Sequence, residues 1–256
     1  LAMMYAKKEL SPMPDFAVFA DTQGEPKAVY EWLAWLEKQL PYPVYKISKG
    51  NLKEDALRVR TSKKTGKKYI QAKIPFHFLK DEKGKGFLTR GCTLEYKIQP
   101  MDVFVRKMCK VKRGEKNVVV NRLIGISTDE ITRINVSKNK WDRNVYPLIE
   151  NNLSRDDCLE YFKKNKLNKP PKSACIFCPY HSKSFWSDLK KNSPEEFQEA
   201  VEYEKQAKIA YKKTDWWEEN FDVSLHSSGN LETFDKKKET NQLDLFDVEC
   251  EGMCGV

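Results

Sequence analysis

Residues 15–40, DFAVFADTQGEPKAVYEWLAWLEKQL, carry the strongest indication of how this chain folds. Residues 15–20 form a short apolar run, which predicts a buried strand ending at Asp21-Thr22. Pro26 follows at a position where a helix can begin, because the first helical turn needs no N–H group from proline. The apolar residues after it share one helical stripe, namely Val29, Trp32, Leu33, Leu36 and Leu40. This stretch therefore predicts a strand followed by an amphipathic helix.

Strands and helices continue to alternate through the first half of the chain. Residues 43–47 predict a second strand, and residues 118–126 form the longest β-branched run, which predicts a central strand. Residues 52–59 predict a short helix, and residues 94–108 a helix in two pieces around Pro100. Strand–helix–strand order at this spacing predicts an α/β fold built on a parallel sheet.

The second half is predicted to be helical. Ser154 is placed to cap a helix running through Lys164, and residues 193–196, SPEE, have the pattern of a capping box with proline at the first helical position. Beyond Ser227 the sequence is polar and without a period, which predicts a flexible tail. We therefore divide the chain into three parts: an α/β domain over residues 1–150, a helical part over residues 151–227, and a tail over residues 228–256.

Composition excludes several classes of protein. Of the 256 residues, 40% are hydrophobic and 12% aromatic, which supports a packed core and excludes a wholly disordered chain. The sequence has no run of roughly 18 apolar residues, so no membrane-spanning helix and no membrane partner are predicted. The first ten residues, LAMMYAKKEL, lack the layout of a signal peptide, which predicts a cytoplasmic protein.

Charge is distributed unevenly along the chain. The formal net charge is +9, although residues 229–256 contain seven acids and only three lysines. No acid lies between Asp55 and Asp81, whereas this interval contains Arg58, Arg60, Lys63, Lys64, Lys67, Lys68, Lys73 and Lys80. Such a density of cations predicts binding to nucleic acid or another polyanion, and a solvated lysine-rich loop would explain the same pattern.

Cys175-Ile176-Phe177-Cys178 is the sharpest local motif. Two thiolates at this spacing can bind one metal ion or cluster iron from a single turn, and Pro179 keeps that turn out of a helix. His181 extends the motif to C-x-x-C-x-x-H, so zinc with His181 as a fourth ligand competes with an iron–sulfur cluster. Two partly buried structural cysteines are the alternative without a metal.

The other cysteines differ in the roles that they suggest. An odd total of seven favours metal or redox chemistry over a framework of disulfides. Cys92, beside Gly91, is the best candidate for a distant third ligand. Cys109 and Cys158 lie on apolar helical faces and are expected in the core.

Several segments together resemble the phosphoadenosine phosphosulfate (PAPS) reductase family. This family is part of the adenine nucleotide α-hydrolase-like group that includes the N-type ATP pyrophosphatases, and the resemblance is to phage and mobile-element members. The matching segments are FADTQGEP (19–26), CTLEYKIQP (92–100), GISTDEITR (125–133), YPLI (146–149) and the cysteine pair of residues 175–178. The resemblance as a whole extends over roughly residues 15–190.

The resemblance implies a Rossmann-like domain that binds an adenine nucleotide, ATP or PAPS with magnesium. Its nucleotide-binding residues would be Asp21, Thr22, Arg133 and Arg143, and Lys97 would be catalytic. Arginine clamps position and neutralise anionic phosphates, although the same arginines could form surface ion pairs. Residues 129–130, Asp-Glu, could hold the magnesium ion or simply begin a helix.

The chain departs from the family pattern in three places. The phosphate-binding loop, S-G-G-K-D-S or a relaxed form, is absent, and because residues 1–10 have the character of the helix that follows it, we expect the loop upstream of Leu1. Ser127 replaces a usual arginine. Three cysteines remain of the four that hold a [4Fe–4S] cluster in sulfonucleotide-reducing members, and an iron left open is typical of enzymes that thiolate nucleic acids, DNA or tRNA.

Two further motifs lie in the tail. Cys250 and Cys254 are candidate catalytic or sulfur-relaying thiols. They resemble the mobile C-terminal Glu-Cys-Gly segment of PAPS reductases. The alternative is a tail with no role in the chemistry. A peptide that resembles those docking on bacterial sliding clamps consists of Gln242, Leu243, Asp244, Leu245 and Phe246.

Three functions remain open from the sequence. The first is nucleotide activation coupled to sulfur transfer onto nucleic acid through a cluster held by Cys92, Cys175 and Cys178. The second is reduction of PAPS or adenylyl sulfate as a small molecule. The third is a non-catalytic nucleic-acid-binding module with a structural zinc ion.

Overall fold

The computed structural model describes residues 1–80, 84–218 and 221–236, and these residues form a mixed α/β structure. The α-helices are α1 (Ala2–Ala6), α2 (Lys27–Gln39), α3 (Leu52–Asp55), α4 (Gln99–Met108), α5 (Pro147–Glu150), α6 (Arg155–Lys164), α7 (Lys183–Asn192) and α8 (Pro194–Tyr211). The strands are β1 (Ala17–Ala20), β2 (Val44–Ile47), β3 (Val59–Thr61), β4 (Lys68–Ile70), β5 (His77–Lys80), β6 (Gly84–Phe87), β7 (Val120–Leu123), β8 (Asp142–Val145) and β9 (Phe221–Ser224). A π-helical turn spans Leu94–Ile98, and 3-10 turns span Thr128–Arg133 and Leu231–Lys236. None of the described helices combines the length and apolar character needed to cross a membrane.

The strands of the described residues form four small sheets. β1 pairs with β2, β7 pairs in parallel with β8, β3 pairs antiparallel with β4, and β5 lies between β6 and β9 in an antiparallel sheet. The predicted α/β class is therefore confirmed at the level of mixed α/β structure with parallel and antiparallel pairs.

The predicted central strand at residues 118–126 is wrong. Within the described part of the chain β7 has one neighbour, β8, and covers only Val120–Leu123. Val118 and Val119 are 53% and 52% exposed, so the first part of the β-branched run does not face a core. A run of β-branched residues predicts an extended backbone, and its neighbours in a sheet depend on the rest of the fold.

The described chain divides into two compact units that alternate along the sequence. The first unit contains residues 1–19, 28–47 and 100–172. The second unit contains residues 20–27 and 48–99 and the described residues from 173 onward. Because the chain passes from one unit to the other several times, this division differs from the three consecutive parts, residues 1–150, 151–227 and 228–256, that the sequence suggests.

The first unit is held together by aromatic contacts and by one buried charge network. The ring of Tyr45 lies 5.7 Å from that of Phe16 and 5.1 Å from that of Phe104. The guanidinium of Arg122 on β7 lies 2.5 Å from the buried carboxylate of Asp142 and 2.7 Å from that of Asp102. These bonds join β7 to β8 and to α4, since buried charges are stable only when paired.

The two helix starts predicted at Ser154 and Ser193 have different outcomes. The cap at Ser154 is confirmed, and the structure shows a full capping box there, with reciprocal bonds between Ser154 and Asp157 at the start of α6. The capping box at Ser193 is wrong, because its side chain makes no capping bond. Glu196 instead accepts a hydrogen bond of 3.0 Å from the backbone N–H of Lys27, within the second unit.

The core of the second unit is built around α8. The sequence places Phe197, Ala200, Val201, Glu204 and Tyr211 near one stripe of this helix, and all five are buried. The buried stripe packs with the sheet β6-β5-β9 and with α7. The buried members of α8 are Phe197, Ala200, Val201, Tyr203, Glu204, Ala207, Ala210 and Tyr211.

Residues 228–236, which the sequence assigns to the tail, are packed against this core. Leu231 and Phe234 are 1% and 8% exposed. The buried carboxylate of Glu204 accepts hydrogen bonds from the backbone N–H groups of Leu225, at 2.7 Å, and Leu231, at 3.0 Å. Burial raises the pKa of Glu204, and the two N–H groups oppose that rise. This carboxylate fastens the last described segment to α8.

Replacing Glu204 by alanine should destabilise the protein by about 3 kcal/mol, because two buried N–H groups would lose their acceptor. Urea denaturation followed by circular dichroism measures this loss. Glu202→Ala, which changes an exposed glutamate two residues earlier on the same helix, is the control and should leave the midpoint unchanged. Equal midpoints for the two variants would contradict the role given to Glu204.

Candidate functional site: a cysteine-lined pocket

One pocket in the second unit brings together several of the residues singled out from the sequence. Its walls include Thr22, Arg90, Cys92, Lys97, Cys175 and Cys178, and we call it the cysteine pocket. Apolar side chains complete the walls, among them Leu52, Ile74 and Pro75. The three cysteines proposed as metal ligands thus line a single pocket although they lie far apart in the sequence.

The turn that carries Cys175 and Cys178 is fixed by backbone hydrogen bonds. The N–H of Cys178 donates to the carbonyl of Cys175 at 2.9 Å, and the N–H of His181 donates to the carbonyl of Cys178 at 3.2 Å. The N–H of Ile176 donates to the carbonyl of Gly24 at 2.8 Å, which joins the turn to the segment after β1. The turn therefore presents both thiols from a rigid backbone.

Cys92 is positioned by the chain on both of its sides. The N–H groups of Gly91 and Cys92 both donate to the carbonyl of Lys73, at 3.0 and 3.1 Å. The π-helical turn that begins at Leu94 is anchored by Tyr96, whose buried hydroxyl donates to Asp55 at 2.7 Å. Burial and this acceptor raise the pKa of Tyr96, so the hydroxyl stays protonated and the anchor holds.

Thr22 and Asp21 have different places at the site. Thr22 is buried, and its hydroxyl shares a hydrogen bond of 3.0 Å with the thiol sulfur of Cys175. Its carbonyl accepts from the N–H of Leu52 at 3.1 Å. Asp21 accepts from the N–H of Gln23 at 2.7 Å, which closes a tight turn after β1. Thr22 is the member of the pair that lines the pocket.

Lys97 belongs to a buried polar cluster at the edge of the pocket. Its ammonium group lies 3.5 Å from the carboxylate of Glu25, whose side chain is fully buried. The hydroxyl of Ser173 donates to the other oxygen of Glu25 at 3.2 Å. Arg90 lies over the ring of Tyr180, 5.2 Å from its centroid. Two cations thus border a pocket with three thiols.

The donor set of the pocket is made of thiols. His181 is buried beside the turn, where Nε2 donates to the carbonyl of Cys175 at 2.8 Å and the ring stacks on Phe185 with centroids 3.5 Å apart. The residues lining the pocket do not include His181. Among the residues that the structure describes, no three His, Cys, Asp or Glu side chains form a group able to hold a metal ion as they stand. Thiolates fit both zinc and cluster iron, and three of them line this pocket.

Arg133 and Arg143, the predicted phosphate-binding arginines, lie in the first unit. Arg133 forms an ion pair with Glu130, the alternative that the sequence leaves open for it. Arg143 is exposed and donates from Nε to Asn121 at 3.2 Å. Asp129 accepts from the N–H of Arg155 at 2.5 Å, so its carboxylate contributes to the start of α6.

The remaining cysteines of the first unit, Cys109 and Cys158, are half-buried. Burial raises the pKa of both thiols, which makes them poor nucleophiles. The tail residues predicted from the sequence lie outside the described residues: Cys250, Cys254, Gln242, Leu243, Leu245 and Phe246.

The basic residues of positions 58–73 are at the surface. Arg58 pairs with Asp55 at 3.1 Å, and Arg60 donates to Gln71 at 2.7 Å. The five lysines in this stretch are exposed, namely Lys63, Lys64, Lys67, Lys68 and Lys73.

Gly24 and Tyr203 are parts of the site that the sequence analysis missed. A Cβ atom on Gly24 would stand 2.5 and 2.7 Å from ring carbons of Phe177, so only glycine fits beneath this ring. Tyr203 is buried against Phe177, with ring centroids 4.6 Å apart, and among the described residues its hydroxyl has no hydrogen-bond partner. Burial raises its pKa, and the nearby Cys175 and Cys92 add to the rise. Gly24 could have been noticed beside the Asp-Thr motif, whereas nothing in the helical stripe of α8 distinguishes Tyr203.

Comparisons with protein-family models, with curated proteins and with solved structures gave no match for this chain.

Gly24→Ala should displace Phe177 and loosen the turn that carries Cys175 and Cys178. The ring of Phe177 is buried against Tyr203 and cannot move freely, so we expect a loss of about 1–3 kcal/mol. Thermal unfolding measures the loss, and the rate of thiol alkylation reports the loosened turn. Gly125→Ala is the matched control, because its Cβ would meet Leu1 at an ordinary 3.6 Å. If both variants melted together, the close packing at Gly24 would have no energetic role.

Proposed function

We propose that this protein is an enzyme resembling PAPS reductases that couples nucleotide activation to sulfur transfer, with nucleic acid as the acceptor. The observation that carries this proposal is the cysteine pocket, where Cys92, Cys175 and Cys178 lie together with Lys97 and Arg90. The finer fold assignment, a Rossmann-like parallel sheet of the adenine nucleotide α-hydrolase-like group, belongs to the same proposal and is supported by the sequence motifs.

The three cysteine thiolates would hold an iron–sulfur cluster, of the [4Fe–4S] type. Such a cluster, held by three thiolates, supplies an iron with a position open to a sulfur atom. The chain contributes the positions of the thiols, through the bonds of the turn at residues 175–178 and of residue 92 to Lys73. The hydrogen bond from Thr22 would moderate the charge on the sulfur of Cys175.

The cations of the pocket would meet the anionic part of the substrate. A nucleotide phosphate or sulfate carries negative charge, and Arg90 and Lys97 border the thiols. Glu25 and Ser173 hold Lys97 in place, so its ammonium group is oriented before the substrate arrives. From the family resemblance, Asp21, Arg133 and Arg143 remain proposed contacts to the nucleotide, and Asp129 and Glu130 proposed ligands of its magnesium ion.

The reaction balances without an external oxidant or reductant. ATP would adenylylate an oxygen of the acceptor and release pyrophosphate. Sulfur at the oxidation level of hydrosulfide would then displace AMP, which leaves with the acceptor oxygen. The acceptor is proposed to be nucleic acid because the exposed cations of residues 58–73 attract a polyanion.

Anaerobic purification tests the cluster directly. The full chain should be brown and contain about four iron and four sulfide per chain, with an absorbance shoulder near the blue end of the visible range. Cys92→Ser, Cys175→Ser and Cys178→Ser should each lose most of the iron. The double variant Cys109→Ser/Cys158→Ser is the control, because both residues lie in the first unit, and it should keep the iron.

Other outcomes of this experiment point to other functions. Stoichiometric zinc without iron would overturn the cluster and favour a structural zinc module. Iron in the protein together with release of sulfite from PAPS would favour the small-molecule reductase, and replacement of Cys250 by serine would then abolish that release. Iron retained equally in all the cysteine variants would remove the cysteine pocket from the proposal.

Lys97→Gln should weaken binding of ATP about tenfold, since one charge-assisted contact to an anion would be lost. Isothermal titration of the full chain with ATP measures the change. Lys53→Gln is the control: Lys53 lies in the same unit and also pairs with a glutamate, Glu199 at 2.5 Å, but does not line the pocket. Equal affinities for the two variants would remove Lys97 from substrate binding.

A further inference from the structure

The strands β3 and β4 form an ordered hairpin, residues 59–70, which we call the basic hairpin. Arg60 lies opposite Tyr69 in the register of the two strands. The turn is closed by hydrogen bonds of 2.8 Å from Ser62 N–H to Lys67 carbonyl and from Gly66 N–H to Ser62 carbonyl. Gly66 has a φ of +71°, which glycine adopts without strain. The exposed lysines of the hairpin therefore project from a defined backbone rather than from a solvated coil.

The basic hairpin is fastened to the turn after α8. The backbone N–H of Lys68 donates to the carboxylate of Asp215 at 2.8 Å, and the N–H of Asp215 donates to the carbonyl of Lys68 at 3.3 Å. The carboxylate and the backbone N–H of Asp215 therefore both hold the hairpin at this junction. Lys212 and Lys213 at the end of α8 are exposed and add two cations next to the junction in sequence.

Two exposed aromatic residues follow directly on the two sides of this junction. Tyr69 comes after Lys68 and is 44% exposed, and Trp216 comes after Asp215 and is 39% exposed. The Trp216 ring is held by edge contacts to Tyr211 and Phe221, with centroids 5.3 and 5.0 Å away. A large ring that is both exposed and held in place can stack with a ligand at little cost in conformational entropy.

An arginine lies opposite one of these two aromatic residues in the hairpin. Because Arg60 and Tyr69 are register partners, their side chains share one face of the hairpin. Arg60 donates from Nε to Gln71 at 2.7 Å, which orients its guanidinium plane. Glu218, two residues after Trp216, adds an exposed negative charge to this region. The exposed lysines 67, 68, 212 and 213 outnumber the acids Asp215 and Glu218, so the region carries a net positive charge.

We propose that this surface binds a single-stranded segment of nucleic acid, with lysines on the phosphates and unpaired bases stacked on Tyr69 and Trp216. Exposed aromatic rings interleaved with cations are the chemistry by which proteins bind single strands, whereas duplexes bury their base faces. A single strand would be the acceptor of the sulfur transfer, and this role rests on the function proposed above. The binding itself needs no cluster.

Fluorescence anisotropy with the full chain tests this surface. The probes are an oligothymidylate of about 16 nucleotides, an abasic oligomer with the same number of phosphates, and a duplex of the same length. A fourth probe is a vesicle of phosphatidylcholine and phosphatidylserine. The oligothymidylate should bind about tenfold more tightly than the abasic oligomer, because only the former can stack.

Variants separate stacking from charge. Tyr69→Ala and Trp216→Leu should each weaken oligothymidylate binding about tenfold and leave abasic binding unchanged. Trp216→Phe keeps an aromatic ring and should retain most of the affinity. This variant shows whether the weaker binding of Trp216→Leu comes from the lost ring or from general misfolding. The triple variant Lys63→Ala/Lys64→Ala/Lys67→Ala should weaken both oligomers and lower the slope of affinity against salt by about 2. Replacing Lys163, Lys164 and Lys169 of the first unit by alanine removes the same charge and should change neither.

Equal affinity for the abasic and base-bearing oligomers would overturn the proposal, as would preference for the duplex or for the vesicle. The outcome is independent of the cluster. Cys92→Ser that has lost iron but still binds oligothymidylate would separate the two sites. If the protein retained iron but did not bind single strands, the binding surface would be rejected and the cluster would stand. If it bound single strands but contained no iron in any preparation, the cluster would be rejected and the binding surface would stand.

Discussion

The cysteine pocket depends on one backbone hydrogen bond, from Ile176 N–H to the carbonyl of Gly24. It joins the segment after β1 to a turn about 150 residues later in the chain, and it brings Thr22 within 3.0 Å of the Cys175 sulfur. The bond requires close approach of the two segments, which the absent side chain of Gly24 permits beneath the ring of Phe177. Without it, the side-chain bond between Thr22 and Cys175 would be left to join the Cys-x-x-Cys turn to the segment after β1.

Local features of the fold could be predicted from the sequence, because they depend on neighbouring residues. The cap at Ser154 and the helical stripe of α8 are examples, since both follow from side chains within one or two turns. The partners of β7 and the alternation of the chain between two units could not be predicted, because they depend on contacts between distant segments. Ser193 shows the same limit within a single motif: Glu196 bonds to Lys27 instead of completing a local box.

The residues of the candidate site also fall into those that sequence motifs indicated and those that only the structure reveals. Motif spacing indicated Cys175 and Cys178, because two thiols separated by two residues are typical of a metal site, and Cys92 was the best distant candidate for a third ligand. All three line one pocket. Glu25 and Tyr203 gave no such signal, since a glutamate or tyrosine is ordinary in a sequence and becomes unusual only when buried. Polar groups that become functional through burial are therefore the part of a site that sequence alone misses.

The cations of the second unit differ in their surroundings and therefore in their electrostatic effect. The charge of Lys97 is opposed by the buried carboxylate of Glu25 at 3.5 Å, so this pair adds little net charge to the cysteine pocket and serves chiefly to orient the ammonium group. Arg90, held over the ring of Tyr180, is the second cation that borders the pocket. The lysines of the basic hairpin are exposed to water and to salt, where they act at long range on a polyanion. Under the proposed function, an anionic nucleotide would meet the cations of the cysteine pocket, and a nucleic acid strand would meet those of the basic hairpin.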